Sequence, residues 1–247
     1  MGERQARLAS GSVRVVQDGV RDASITHTYR ADESGGWVWE ASYALESAIV
    51  NQIGYAHEDW DGVKILELGA GTGQLAMRLA QRGAYVTATD RAGALPRISR
   101  NILRNQQRFG VLPDGDQVLR VEYATLDWEE ELQRYERAPA TAPLARIGEH
   151  TGSVPTYDYI VGSDLVYLHE MHVPLLCTME LLCCAAASIP AEVPMCYLSW
   201  EERKPQEEEN FLELAKARGF EPELVHKTNS TVSGAPITVH RFRWQGS

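Results

Sequence analysis

The segment Lys64–Gly73 limits what this chain can fold into more than any other. A short apolar strand, Val63–Leu68, runs directly into Gly69-Ala70-Gly71-Thr72-Gly73, and a helical pattern follows over Gln74–Gln81. Glycines suit this junction because the chain turns tightly there and a ligand can approach bare backbone. The helix that follows presents free N–H groups at the turn. Dinucleotide sites share this architecture, so the turn alone does not select a ligand. Their fingerprint needs glycine at positions one, three and six, and the sixth position here is Gln74. Glycines stand instead at positions one, three and five, with Glu67 two before the first. A second strand, Tyr85–Thr89, ends in Asp90, about twenty positions beyond the turn, where a carboxylate can accept hydrogen bonds from ribose hydroxyls.

The rest of the chain extends the same alternation of strand and helix. Residues 1–35 read as an N-terminal extension with two β-like runs, Ser12–Val16 and Ser24–Tyr29, and Trp37–Ile53 reads as a helix. Pro96–Phe109 is helical, and Gln117–Tyr123 is expected as a third strand. Glu129–Thr156 begins with charges sufficient for a helical turn or two, then passes into Ala, Pro, Thr and Gly, as in a mobile surface insertion. Tyr157–Ser163 is a fourth strand, His169–Ala187 a helix, Met195–Trp200 a fifth strand, and Gln206–Arg218 a helix stopped by Gly219. Glu223–Lys227 and Ile237–Trp244 can close the sheet as a hairpin around Ser233-Gly234. The expected architecture is a single α/β domain over residues 1–247, with a Rossmann-like, mostly parallel sheet of seven strands. Its terminal hairpin is antiparallel, and helices lie on both faces.

Composition excludes several classes. A net charge of −10 disfavours a broad phosphate-gripping surface, so nucleic acid is an unlikely partner. Cys177, Cys183, Cys184 and Cys196 lie in apolar segments without disulfide-framework or C-x-x-C spacing, which points to a reducing compartment and no zinc site. In His169-Glu170-Met171-His172 the second His falls one position short of the metalloprotease motif. No metal is expected. No stretch reads as a signal peptide or a membrane span, so the default address is the cytosol, with the nucleus also open to it. A monomer is the expected state.

Several ordered motifs together resemble a known family. Gly36-Trp37-Val38-Trp39-Glu40-Ala41, Leu66 through Gly73, Thr89-Asp90, Asn101 and Asn105, Leu126-Asp127-Trp128, and Gly162-Ser163-Asp164-Leu165-Val166-Tyr167 occur in that order. In this the chain is similar to the seven-strand protein methyltransferases called methyltransferase family 16, from about Gly36 to Phe220. The resemblance implies S-adenosylmethionine as cofactor and a protein substrate, such as a chaperone or translation factor. It places Trp39, Glu67, Gly69, Ala70, Gly71, Gly73, Asp90, Trp128 and Ser163 at the cofactor. Trp39 lines the pocket, Gly69–Gly71 meet the methionine and ribose end, and Trp128 sits beside adenine. The long Glu129–Thr156 segment departs from compact members of the family.

Asp164 and Tyr167 follow the fourth strand's carboxyl end, where α/β sites lie, and form the family's acidic-x-x-Tyr signature. For a lysine acceptor, Asp164 is expected to hold and orient the arriving ammonium, with the Tyr167 ring or hydroxyl beside it. The plainer reading makes Asp164 a helix N-cap and Tyr167 a half-buried aromatic. No proline follows Ser163-Asp164, unlike the Asn/Asp-Pro-Pro-aromatic segment of enzymes that methylate bases or glutamine. Another protein side chain (arginine or histidine), a small molecule, or a catalytically inactive cofactor-binding module all remain open alternatives to lysine.

Overall fold

The computed structural model describes residues 38–109, 119–137, 147, 156–187 and 192–246, so the β-like runs expected at Ser12–Val16 and Ser24–Tyr29 lie outside the described residues. The chain runs through α1 (Ala41–Ile53), β1 (Lys64–Leu68), α2 (Gln74–Arg82), β2 (Tyr85–Asp90), α3 (Leu95–Phe109), β3 (Val121–Thr125) and α4 (Trp128–Arg137). It continues through β4 (Tyr159–Ser163), α5 (His172–Ala187), β5 (Met195–Glu201), α6 (Pro205–Ala217), β6 (Phe220–Asn229) and β7 (Pro236–Trp244). The strands form one seven-stranded sheet in the order β3-β2-β1-β4-β5-β7-β6. β1 to β5 pair in parallel, and β7 runs antiparallel to both β5 and β6. This is the mixed, mostly parallel sheet with a terminal hairpin that the sequence implies.

Successive strand side chains point to opposite faces, so a strand covered on both sides reads as a continuous apolar run. Ile65, Val161 and Tyr197 bury on one face with Leu45 and Ile49 of α1, Leu75 and Leu79 of α2, and Ile98 of α3. Leu66, Ile160 and Leu198 bury on the other with Leu175 and Met179 of α5 and Phe211 of α6. Two packed layers therefore clamp the sheet. The strand order runs outward in one direction from β1 to β3 and then in the other from β4, so the crevice between the ends of β1 and β4 is the topological switch point where α/β sheets bind ligands.

Several boundaries differ from the sequence reading, each for a local reason. α1 begins at Ala41, which leaves Trp39 in an irregular segment ahead of the helix, and it ends where Gly54 takes a φ of 132°. β3 starts at Val121 because its register is set by pairing Val86 to Val121, and not by the polar–apolar alternation upstream. The charged run after Asp127 is a ten-residue helix, not a turn or two. Asp127 caps it by accepting the Glu129 N–H at 3.0 Å. Glu129, Glu130 and Glu131 fill its first turn and Arg134 and Arg137 its last, which suits the helix dipole. The remainder of the expected mobile insertion, apart from buried Ile147 and its last residue Thr156, lies outside the described residues. The helical stretch His169–Ala187 is long and apolar enough on composition to cross a membrane, contrary to the sequence reading, but 61% of its most apolar 18-residue window is buried inside the protein. Its apolarity serves the core.

Candidate functional site

The chemistry converges on a pocket at the carboxyl ends of β1, β2 and β4, holding about 940 Å³ of space open to solvent on one side. Its floor is the glycine turn. Gly69, Gly71 and Gly73 have φ of 60°, 56° and 73°, the left-handed region that side chains with a Cβ resist. A Cβ on Gly69 would also stand 2.6 Å from Leu165 Cδ2 and 3.3 Å from the Trp128 ring. The turn needs glycine there for space as well as for conformation.

Two acids lock this turn. Asp90 accepts the Gly71 N–H on Oδ2 at 2.8 Å and the Arg91 N–H on Oδ1 at 2.7 Å. Burial raises the Asp90 pKa, while these backbone donors and the neighbouring Arg91 and Arg97 pull it down. Glu67 reaches past the turn, and its Oε2 accepts the Ala76 N–H of α2 at 3.0 Å. Because α2 has no side-chain cap of its own, a carboxylate from β1 fills that place. Burial pushes the Glu67 carboxyl up to about 8, only partly offset by the Ala76 N–H, with the Asp90 charge adding to the rise. The acid two before the first glycine thus holds the turn against the helix as well as lining the pocket. On the far side, the Asn101 amide donates to the Thr72 carbonyl at 2.9 Å.

Every site residue expected from the sequence except Gly73 lines this pocket, and Gly73 forms the left-handed entry into α2. Trp39 comes from the segment before α1, Trp128 from the start of α4, and Ser163, Asp164 and Tyr167 from the end of β4 and beyond. The structure corrects one expectation. Asp164 is buried, and its carboxylate is not open to an arriving cation: the Arg203 guanidinium holds it in a fork, at 2.8 Å to Oδ1 and 2.9 Å to Oδ2. Nor is Asp164 an N-cap, since α5 starts at His172, eight residues on. It is the sole non-glycine residue with positive φ among those described, at 57°, a conformation that costs about 1–3 kcal/mol and that Asp tolerates better than most. The sequence reading missed Arg203, which belongs to no motif and follows a strand end. It also missed the pocket roles of Ser42, Gln74 and Leu165. The Ser42 hydroxyl donates to Gln74 Oε1 at 3.2 Å, which ties α1 to α2 across the pocket edge.

These residues fit an adenosine-type cofactor carrying a sulfonium. The buried Trp128 Nε1–H has no partner, so the indole can still donate beside an adenine ring. The Asp90 carboxylate keeps lone pairs for ribose hydroxyls after its two backbone bonds. The rest of the pocket wall mixes apolar side chains such as Val38, Leu126 and Leu165 with polar ones, among them Ser42, Gln74 and Arg91.

A family model described as lysine methyltransferase matches residues 22–218. The chain belongs to the lysine methyltransferase family. Among curated relatives, "Protein N-lysine methyltransferase METTL21A" of Danio rerio is 34% identical over 143 residues, covering 58% of this chain and 53% of that protein. "EEF1A lysine methyltransferase 3" of Xenopus tropicalis is 28% identical over 193 residues, covering 77% of this chain and 68% of its own. The matched region thus spans from about half to two thirds of these relatives. The T. thermophilus 16S rRNA N2 G1207 methyltransferase RsmC, solved with AdoMet and guanosine, superposes with a TM-score of 0.51 at 16% identity, over 86% of this chain and 45% of that one. At that identity it shares the fold. In this lysine methyltransferase family member the cofactor is S-adenosylmethionine.

Proposed function

We propose that this chain transfers methyl groups from S-adenosylmethionine to a lysine side chain of a protein, with the nearby ends of β1 and β4 forming the reaction site. The observation that carries the reading is the convergence on one pocket of the glycine turn, Asp90 and Trp128 on the cofactor side with Trp39 from ahead of α1 and Asp164 and Tyr167 from beyond the end of β4. When bound, the cofactor supplies an electrophilic methyl group on a sulfonium. The protein's task is then placement, because in-line displacement needs the acceptor lone pair aligned with the methyl group.

A lysine amine has a reference pKa near ~10.4 and reacts only when neutral. The apolar wall of Val38, Leu126, Leu165 and Leu168 disfavours the charged form once the side chain enters. Asp164 and Tyr167 mark the acceptor end, with the tyrosine ring and hydroxyl placed to meet the amine. Proton loss to solvent before entry then suffices, without a strong base. The acceptor is a protein, with a translation factor or chaperone the class we favour, because the relatives carry names of protein N-lysine methyltransferases. The chain acts as a monomer in the cytosol or nucleus and does not engage nucleic acid, which agrees with its charge of −10.

A lysate of proteins incubated with the enzyme and labelled cofactor, before and after chemical blocking of lysine amines, tests this reading. Label should enter the native proteins and largely vanish after blocking. Equal incorporation into both preparations would assign the acceptor to another side chain.

A further inference from the structure

We propose that Arg203 is the positioning residue of this site. It ties Asp164 at the end of β4 to Trp39 ahead of α1, so that both sides of the acceptor end are fixed before an acceptor arrives. The proposal rests on the methyl-transfer reading above and concerns a residue outside the motifs that point to it.

Asp164 and Trp39 line the pocket, and Arg203 is not among the described residues that do. It reaches both from the connection between β5 and α6. Its guanidinium holds Asp164 through two parallel bonds, at 2.8 and 2.9 Å, and donates to Glu201 Oε2 at 3.0 Å. The face of the same guanidinium lies over the Trp39 ring, with its central carbon 4.9 Å from the ring centroid. A planar, delocalised cation is the one side chain that can fork a carboxylate and stack on an indole at once. Lysine keeps the charge and neither geometry.

Arg203 is itself held in place. Its backbone N–H and that of Lys204 donate to Glu208 Oε1 at 2.8 and 3.0 Å, so the α6 carboxylate pins the connection. Glu201 is steadied in turn by the Ser233 hydroxyl at 2.6 Å, from the turn between β6 and β7. The same turn supplies Ser230 and Thr231, which donate to Glu40, the neighbour of Trp39. The chain of contacts therefore runs from the hairpin turn to both walls of the pocket, with Arg203 at its centre. The carboxylates of Asp164 and Glu201 are nearly fully buried and Arg203 is the cation between them: side-chain exposure is 3%, 8% and 22%. Without the guanidinium, two buried carboxylates would lose the cation between them, and Asp164 and Trp39 would lose the group that ties them together.

Two readouts test this on the full chain with Arg203→Gln and Arg203→Lys. The first is the rate of label transfer to lysate proteins, expressed per folded, cofactor-bound molecule. Arg203→Gln should lose at least tenfold in transfer. Arg203→Lys, which keeps the charge, should recover part of that loss without reaching the full rate. The second needs no acceptor: acrylamide quenching of the Trp39 emission, isolated by difference against Trp39→Phe. Quenching of that component should rise in Arg203→Gln. Wild-type transfer per cofactor-bound molecule in folded Arg203→Gln, or an unchanged Trp39 signal, would overturn the proposal. Absence of label transfer by wild type would count against the methyl-transfer reading instead, and the quenching result would still decide the clamp.

Discussion

Asp90→Ala is expected to weaken S-adenosylmethionine binding by at least tenfold while the protein stays folded. Each Asp90 oxygen already accepts one backbone N–H, from Gly71 at 2.8 Å and Arg91 at 2.7 Å. An ionised carboxylate has about four acceptor sites, which leaves about two for ribose hydroxyls. A hydrogen bond to a charged group contributes about 1.5–3 kcal/mol and about 1.4 kcal/mol is tenfold in affinity, so losing one already amounts to about tenfold or more, and losing both exceeds it comfortably. The substitution also frees the Gly71 N–H and loosens a turn in the left-handed region. Asp90→Asn keeps one acceptor oxygen and should fall between the two. Titration calorimetry reads the dissociation constants directly, and an unchanged value for Asp90→Ala would place the ribose elsewhere.

Glu67→Gln should stabilise the cofactor-free protein near and above neutral pH. The Glu67 carboxyl is raised from 4.5 to about 8 in the folded state, mainly by burial. Below pH 4.5 it is protonated whether the chain is folded or not. As pH rises from there toward 8, the unfolded chain has released this proton and the folded chain still binds it, so stability declines across that window. At one pKa unit to about 1.4 kcal/mol, the loss by pH 7 is on the order of 3 kcal/mol at most. Glutamine keeps an oxygen for the Ala76 N–H and cannot ionise, so the decline should flatten. A cation in the pocket favours the ionised form, so in wild type Glu67 should release a proton when the cofactor binds. Calorimetry in buffers of different ionisation heat detects that proton, and Glu67→Gln should abolish it. Melting temperatures of the two proteins that track each other across this pH range would contradict the account.

Glu67 also shows how far the sequence could be read. The family resemblance placed it at the cofactor, and the structure puts it on the pocket wall. Its bond to the start of α2 depends on a helix folding back over the strand, which spacing does not reveal. The seven strands and their hairpin were legible because buried strands read as apolar runs and the glycines mark turns. α4 was not, because its signal lies in the order of charges along the helix and in the Asp127 cap, with few apolar residues to set a period. Asp164 was found by motif and its partner was not. Arg203 lies 39 residues further along, and only the pairing of β4 with β5 brings the two ends together. Local pattern carries no information on such a distant contact.

The central claim is that this pocket passes a methyl group to a protein lysine, and the residue that carries the product answers it most directly. Proteins labelled by the enzyme from S-adenosylmethionine, then digested and sequenced by tandem mass spectrometry, should carry the added methyl groups on lysine Nζ, and Asp90→Ala should reduce those modifications at least about tenfold at limiting cofactor. Methyl groups mapped to arginine, histidine or a chain terminus, or modifications that persist undiminished in Asp90→Ala, would contradict it.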